Sequence, residues 1–284
     1  MRKIALIGGD SRQISAACTL KTAGFTPFVY GNDTAAAVGF IAPYTLEETL
    51  AGAEAVLLAV PSVKKKGYLY TPLWEQTLTT ADFLRSLEKD AVVFLWGKEN
   101  CEIETNNRIV DLAKDEFCQQ ENARLTADIA IFLAMKETKL ALCDMQISIL
   151  GYGRIGKYLA KHLLSLGANV KIGARREEVR AEAACHASEV YAPTDPRLIC
   201  NTDVIFNTIP QPILSDKLLE HAEIGTLYME LASAPGALTE DAKTCPLCIV
   251  DAAGLPGKYC ARSAGKIIGK AVLRHMEKGR GAVW

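Results

Sequence analysis

Gln146-Ile-Ser-Ile-Leu150 runs directly into Gly151-Tyr152-Gly153-Arg154-Ile155-Gly156. A short β-rich run that meets glycines and continues into an amphipathic helical stretch opens a parallel α/β unit. Each glycine has its own task. Gly151 permits a tight turn, Gly153 lets a pyrophosphate approach the backbone, and Gly156 lets helix and strand pack closely. Ile155, Leu159, Leu163 and Leu166 recur on one side of the helix, and Gly167 ends it before the next strand. Free N–H groups at such a helix start attract phosphate. The segment predicts a dinucleotide site lined by Gly151, Tyr152, Gly153, Arg154, Ile155 and Gly156.

The same opening occurs near the start of the chain, where Lys3-Ile-Ala-Leu-Ile7 meets Gly8-Gly9-Asp10-Ser11-Arg12-Gln13. Here Asp10 stands where a close-approach glycine is needed and Gln13 where the packing glycine belongs. A carboxylate repels pyrophosphate, so this turn is expected to bind no dinucleotide, although Ser11 and Arg12 suit a small carboxylate. Further strands are expected at 26–30, 55–60 and 91–96, then at 146–150, 169–172, 204–206, 226–231 and 248–251. The fold class is therefore α/β, with two tandem doubly wound, Rossmann-like parallel-sheet domains. Residues 1–124 form a substrate or partner domain. Residues 125–144, capped by Thr126, form a connecting helix, and 145–284 form the NAD(P)-binding domain, ending in a helix over 263–276.

The chain has 284 residues, 49% hydrophobic and 23% charged, with 32 basic and 33 acidic groups giving a net charge of −1. That balance excludes disorder as the main state and gives no global attraction to nucleic acid or to an anionic membrane. No apolar stretch approaches the roughly 20 residues of a bilayer span, so a cytoplasmic protein is expected. Nine scattered cysteines read as reduced thiols. Cys245-Pro-Leu-Cys248 lacks the second pair that a structural zinc site wants, and no metal is expected.

The end of the second strand in the dinucleotide domain reads Gly173-Ala174-Arg175-Arg176, with no acid before Glu177. A guanidinium there suits a 2′-phosphate, where an NAD site places a carboxylate, so NADP is favoured over NAD. Three loops follow later strands: Asn207-Thr208-Ile209-Pro210, 232–236 containing Ser233, and 252–257 containing Gly254. Ligands of open parallel sheets gather beyond such strand ends. Candidates for an anionic substrate are Ser11, Arg12, Ser62, Ser233 and Arg262, with Lys258 and Ser263 nearby in sequence. The four histidines (162, 186, 221, 275) show no pairing in the sequence. Acid–base candidates are accordingly Asp10 and Asp128, with Lys136 and Glu137 behind them.

Together Ile7-Gly-Gly-Asp-Ser-Arg-Gln13, the Gly151 turn with Gly167-Ala-Asn-Val-Lys-Ile-Gly-Ala-Arg175, Asn207-Thr-Ile-Pro210, Glu230-Leu-Ala-Ser233 and Ala253-Gly-Leu-Pro-Gly257 resemble the family of dipicolinate synthase A subunits, in the right order over nearly the whole chain. The resemblance implies a sporulation enzyme in the mother cell, homo- or hetero-oligomeric, acting with the flavoprotein-like B subunit of dipicolinate synthase. Its substrate would be a small dicarboxylate, dihydrodipicolinate, oxidised to dipicolinate. Arg12 and Arg262 would take the carboxylates, while Thr208 and Ser233 shape the nicotinamide pocket. Two other readings remain: a shikimate- or methylenetetrahydrofolate-type NADP dehydrogenase, for which Lys98 and Asp82 are poor stand-ins by spacing, and a non-catalytic NAD(P)-binding regulatory protein.

Overall fold

Strands buried on both faces read as unbroken apolar runs, and the computed structural model places its central strands on those runs. It describes residues 2–187, 189–244, 247–252 and 254–278. The chain divides into two compact units, residues 2–122 with 260–278 and residues 123–259.

In the first unit come β1 (Arg2–Ile7), β2 (Phe25–Tyr30), β3 (Ala55–Leu58), a hairpin of β4 (Val63–Lys65) and β5 (Tyr68–Leu69), then β6 (Val92–Leu95) and β7 (Ile109–Asp111). The main sheet has the order β2-β1-β3-β6-β7, every pair parallel. Its core gathers Ile7, Val56, Leu58, Val93 and Leu95 around the fully buried Phe83. The strand order reverses between β1 and β3, so the crevice beyond those two strand ends is this unit's ligand position.

In the second unit come β8 (Gln146–Leu150), β9 (Asn169–Gly173), β10 (Glu189–Tyr191), β11 (Val204–Asn207), β12 (Leu227–Glu230) and β13 (Cys248–Asp251). They form a six-stranded parallel sheet of order β10-β9-β8-β11-β12-β13. This is the order of the dinucleotide-binding fold, with its switch point between β8 and β11. The helix Arg154–Ser165 follows β8 and buries Leu159, Ala160 and Leu163. Gly167, at φ +81°, ends it as expected.

Two expectations about helices are corrected. The long helix spans Glu116–Thr138, not 125–144, and the unit boundary at 122/123 falls inside it. Its start is set by Asp115, whose Oδ1 accepts from the Cys118 N–H at 2.9 Å. Thr126 is therefore mid-helix rather than a cap. The final helix, Ala261–Lys278, belongs to the first unit, not to the dinucleotide-binding one. Gly265 and Gly269 explain this. A Cβ on Gly265 would meet the Arg12 carbonyl and, at 2.5 Å, Ser15 Cβ, while one on Gly269 would meet Thr19 Cβ at 2.7 Å. Two glycines one turn apart let this helix lie directly on Ser11–Thr22, the two running parallel with Ala264, Ile268 and Val272 buried.

The same helix is tied further along by His275, whose Nε2 lies 2.8 Å from Asp115 Oδ2 and whose ring packs edge-on to Phe94. Burial alone would raise the Asp115 carboxyl, but the Cys118 N–H and the His275 ring outweigh it and hold the group below its ordinary value. A carboxyl depressed in the folded state stabilises above its unfolded pKa of about 3.9, and loses that contribution as pH falls through the folded value. Asparagine caps helices as well as aspartate does, so Asp115→Asn isolates the charge. Thermal melts are expected to show a loss of about 1–2 kcal/mol at pH 7 that shrinks steadily as the pH is lowered below about 3.9. An equal loss at both values would remove the carboxylate from the account.

Candidate functional site

At the switch point of the second sheet, β8 delivers Leu150 into Gly151, which has φ +95°. The Gly151 N–H donates to Gly173 O at 2.8 Å, and both the N–H and the hydroxyl of Thr208 donate to Leu150 O at 2.8 Å. The turn after β8 and the loop after β11 are thus stitched together. A Cβ on Gly151 would strike Thr208 Oγ1, and one on Gly156 would strike the Gly151 carbonyl. Gly153 differs: nothing lies within 4 Å of where its Cβ would be. No side chain caps the helix that starts at Arg154, so its first N–H groups retain their capacity for an anion. Close packing at two glycines and open space at the middle one is the arrangement a pyrophosphate needs. The residues present fit a dinucleotide.

The open cleft here has a volume of about 330 Å³ and is lined by Gly151, Tyr152, Gly153, Arg175, Arg176 and the loop Thr208, Ile209, Pro210. Tyr152 is buried, with Lys157 Nζ 5.6 Å from its ring centre. Burial, aided by Glu182 and Cys185, pushes its hydroxyl up, so it stays neutral. The two arginines are not equivalent. Arg176 Nη1 lies 3.4 Å from Glu178 Oε1, whereas the exposed Arg175 side chain has no partner among the described residues. The turn carrying them is held by Arg180 Nη1, which donates to Arg175 O at 2.7 Å and Ala174 O at 3.0 Å.

Asn207, expected to face the cofactor, is fully buried and committed elsewhere. Its Oδ1 accepts from the Ile209 N–H at 3.0 Å, and its Nδ2 donates to Ile209 O at 3.0 Å and Glu230 Oε1 at 2.7 Å. What the 207–210 loop offers a ligand is therefore Thr208, Ile209 and Pro210. Ser233 and Gly254 are exposed at the ends of β12 and β13 and do not line the cleft around Gly151. Ile155 and Arg154 occupy the first helical turn.

In the first unit the glycine turn is filled from within. The Gly9 N–H donates to Tyr70 O at 2.9 Å, and a Cβ on Gly9 would meet Gln13 Cβ at 2.8 Å. Gln13 is buried, with Nε2 donating to Leu57 O at 2.9 Å. Asp10 caps the first helix through the Arg12 N–H at 3.0 Å and forms a two-pronged pair with the Arg12 guanidinium, Nε–Oδ1 2.9 Å and Nη2–Oδ2 2.7 Å. Arg12 Nη2 also donates to Val60 O. This corrects two expectations: Asp10 is a cap and counter-ion, not an unengaged acid–base group, and Arg12 has only its Nη1 edge for a ligand. Ser62 is also corrected. It is fully buried, donating to Ala59 O and accepting from the Trp96 N–H, both at 2.8 Å, which leaves nothing for substrate. Ser11 is exposed at the first helix start. The parallel helix pair brings Arg262, one turn before Gly265, to the same end. Arg262 is exposed and has no partner among the described residues.

Asp128 lies on the long helix, away from the cleft lining, with Oδ1 3.0 Å from His162 Nδ1 and Oδ2 3.7 Å from Arg124. Histidines 162 and 275 thus each face an aspartate, a pairing that distant sequence positions conceal. Lys136 and Glu137 are exposed and paired with each other. Cys245 of the Cys-x-x-Cys pair lies outside the described residues, as does Ala253. Among the described residues no group of three His, Cys, Asp or Glu is placed to hold a metal, and no helix is long and apolar enough to cross a membrane.

The strand order, the switch-point turn and a family match define the class. Residues 146–224 match the family described as NADP oxidoreductase coenzyme F420-dependent. The second unit is similar to that family and carries a Rossmann domain of the nicotinamide-dinucleotide-binding type. The particular relationship follows from the first domain, since residues 3–107 match the family described as the N-terminal domain of the dipicolinate synthase A subunit. The A subunit of dipicolinate synthase from Bacillus subtilis (strain 168) is 28% identical over 282 residues, covering 96% of this chain and 95% of that one. The crystal structure of dipicolinate synthase, A chain, from Bacillus subtilis matches with a TM-score of 0.78 and 25% identity, covering 98% and 96% of the two chains. That of the corresponding dipicolinate synthase chain from Bacillus halodurans gives a TM-score of 0.80 at 23% identity, covering 96% and 97%. The chain is similar to the dipicolinate synthase A subunit over 96% of its length.

Proposed function

We propose that this chain oxidises dihydrodipicolinate to dipicolinate with a nicotinamide dinucleotide, as the A subunit of a dipicolinate synthase acting with its B subunit in the cytoplasm of a sporulating cell. The observation that carries this reading is full-length similarity to the Bacillus subtilis protein in a chain whose dinucleotide turn is intact. The oxidised nicotinamide, when bound, supplies the two-electron acceptor. A dihydropyridine tautomer of the substrate gives up a hydride and a proton and becomes an aromatic pyridine. Aromatisation favours the step, so the protein's work is orientation more than base catalysis.

On this reading the Gly151 turn and the first turn of the Arg154 helix hold the pyrophosphate. Thr208, Ile209 and Pro210 offer a flat, largely apolar edge to the nicotinamide. Arg175, without a carboxylate partner, supports NADP over NAD. Arg262 and the Nη1 edge of Arg12 take the substrate carboxylates, and Asp10 orients Arg12. The test is turnover of dihydrodipicolinate by the chain with the B subunit and NADP, followed by pyridine absorbance, for the parent and Arg262→Ala. Loss of one charge-assisted contact is expected to raise KM about 10- to 100-fold. An unchanged KM removes Arg262 from the site, and dinucleotide binding without turnover in the presence of the B subunit sinks the enzymatic reading.

A further inference from the structure

At the end of β12 a strand of buried residues, Leu227-Tyr228-Met229, terminates in a carboxylate, Glu230, which is only partly exposed. Isolated carboxylates are costly inside a protein unless every lone pair is met. Glu230 meets four donors. Its Oε1 accepts from Asn207 Nδ2 at 2.7 Å and from the Ala232 N–H at 3.0 Å. Its Oε2 accepts from the Tyr228 hydroxyl at 2.7 Å and from the Ala237 N–H at 3.1 Å. Gly236, at φ +79°, folds over it so closely that a Cβ there would lie 2.9 Å from its Cδ. Burial and this hydrogen bond push the Tyr228 hydroxyl well up, so it remains a donor at all ordinary pH values.

These four donors come from the end of β11 and from β12 with the loop that follows it. Asn207 closes β11 and grips both backbone groups of Ile209. Ala232 and Ala237 bracket the loop after β12. One carboxylate therefore links the shape of 207–210 to that of 231–237. In the 3-2-1-4-5-6 sheet a dinucleotide spans the switch point, with its adenosine half towards β9 and Arg175 and its nicotinamide half towards β11 and β12. The linked loops are those of the nicotinamide half alone.

We propose that Glu230 is the positioning residue of the nicotinamide half-site, fixing the Thr208–Pro210 edge through Asn207. This rests on the dinucleotide reading of the cleft. It also gives a role to Asn207, which touches no open space: it transmits the carboxylate's position to the loop backbone. Glutamine at 230 keeps the shape but presents an N–H to groups that are themselves donors, and so disrupts part of the shell while leaving the Gly151 turn and Arg175 untouched.

The experiment measures, for the full chain, affinity for ADP-ribose and for NADPH, together with the rise in nicotinamide fluorescence on NADPH binding. Glu230→Gln is expected to leave ADP-ribose affinity within about twofold, to weaken NADPH about 10- to 100-fold, and to lose most of the fluorescence rise. Tyr228→Phe, which removes one donor without changing volume or charge, is expected to act in the same direction to a smaller extent, and decides the matter if the glutamine variant does not fold. Equal losses for both ligands, or no loss for either, overturn the role given to Glu230 while the cofactor reading stands. Failure of the parent chain to bind either ligand overturns the cofactor reading and this inference with it.

Discussion

Gly153→Ala is expected to fold almost as the parent does and to lose dinucleotide binding by about a hundredfold. An alanine Cβ there meets nothing within 4 Å, and the backbone, at φ −85°, is open to any residue. The only folding penalty is the poorer capping tendency of alanine at the helix start, less than about 1 kcal/mol. A methyl group at that point nevertheless occupies the space through which a pyrophosphate reaches the first-turn N–H groups. Gly156→Ala is the contrasting control. Alanine gains about 1 kcal/mol in helix propensity, but its Cβ collides with the Gly151 carbonyl, which is backbone and cannot rotate away. That variant should lose thermal stability and binding together. Calorimetric titration with NADP and NAD beside thermal melts distinguishes the two. If Gly153→Ala binds as the parent does, the open face of the turn is not where the phosphates lie.

The turn could be read from sequence because all its determinants are local: a strand, three glycines and a helix within a few residues. The central strands were legible for a related reason, since burial on both faces leaves continuous apolar runs such as Ala55–Leu58 and residues 204–206. The edge strands Ile109–Asp111 and Glu189–Tyr191 escaped, being three residues long and only partly buried, which leaves no run to see. The placement of the last helix escaped because its partner is the first helix of the chain. The signal was present as Gly265-Lys-Ile-Ile-Gly269, a pair of small residues one turn apart that marks close helix contact rather than a nucleotide edge. The site residues followed the same division. Asp10, Arg12 and Ser62 are polar residues in glycine- and proline-rich turns, and sequence cannot distinguish one that faces a ligand from one that satisfies its own fold. Here Asp10 and Arg12 satisfy each other, and Ser62 joins two strand ends. Glu230 was the converse case: a charge closing an apolar strand just before Ala232-Ser-Ala-Pro-Gly236 had no reason to be there unless several donors converged on it.

Arg175→Ala is expected to abolish a preference for NADP over NAD and leave NAD affinity within about twofold. The argument is one of charge and availability. Arg180 fixes the backbone of the turn after β9 through the Ala174 and Arg175 carbonyls, so the substitution does not disturb the turn itself. Arg176 already faces Glu178, whereas Arg175 faces no acid among the described residues. An oriented guanidinium on a phosphate is worth about 1.5–3 kcal/mol, or 10- to 100-fold in affinity. Because Arg175 is exposed, the preference should narrow with added salt as the screening length falls from about 8 Å at 0.15 M towards 3 Å at 1 M. Arg176→Ala should change the NADP:NAD ratio much less, and Arg175→Lys should retain only part of it, since an ammonium lacks the planar fork. The competing arrangement, with Arg175 stacked on the adenine ring, predicts something different: both dinucleotides weaken by the same factor and salt has little effect on their ratio. Eight titrations, two ligands on the parent chain and on Arg175→Ala, each at two salt concentrations, separate a phosphate-reading arginine from an adenine-stacking one.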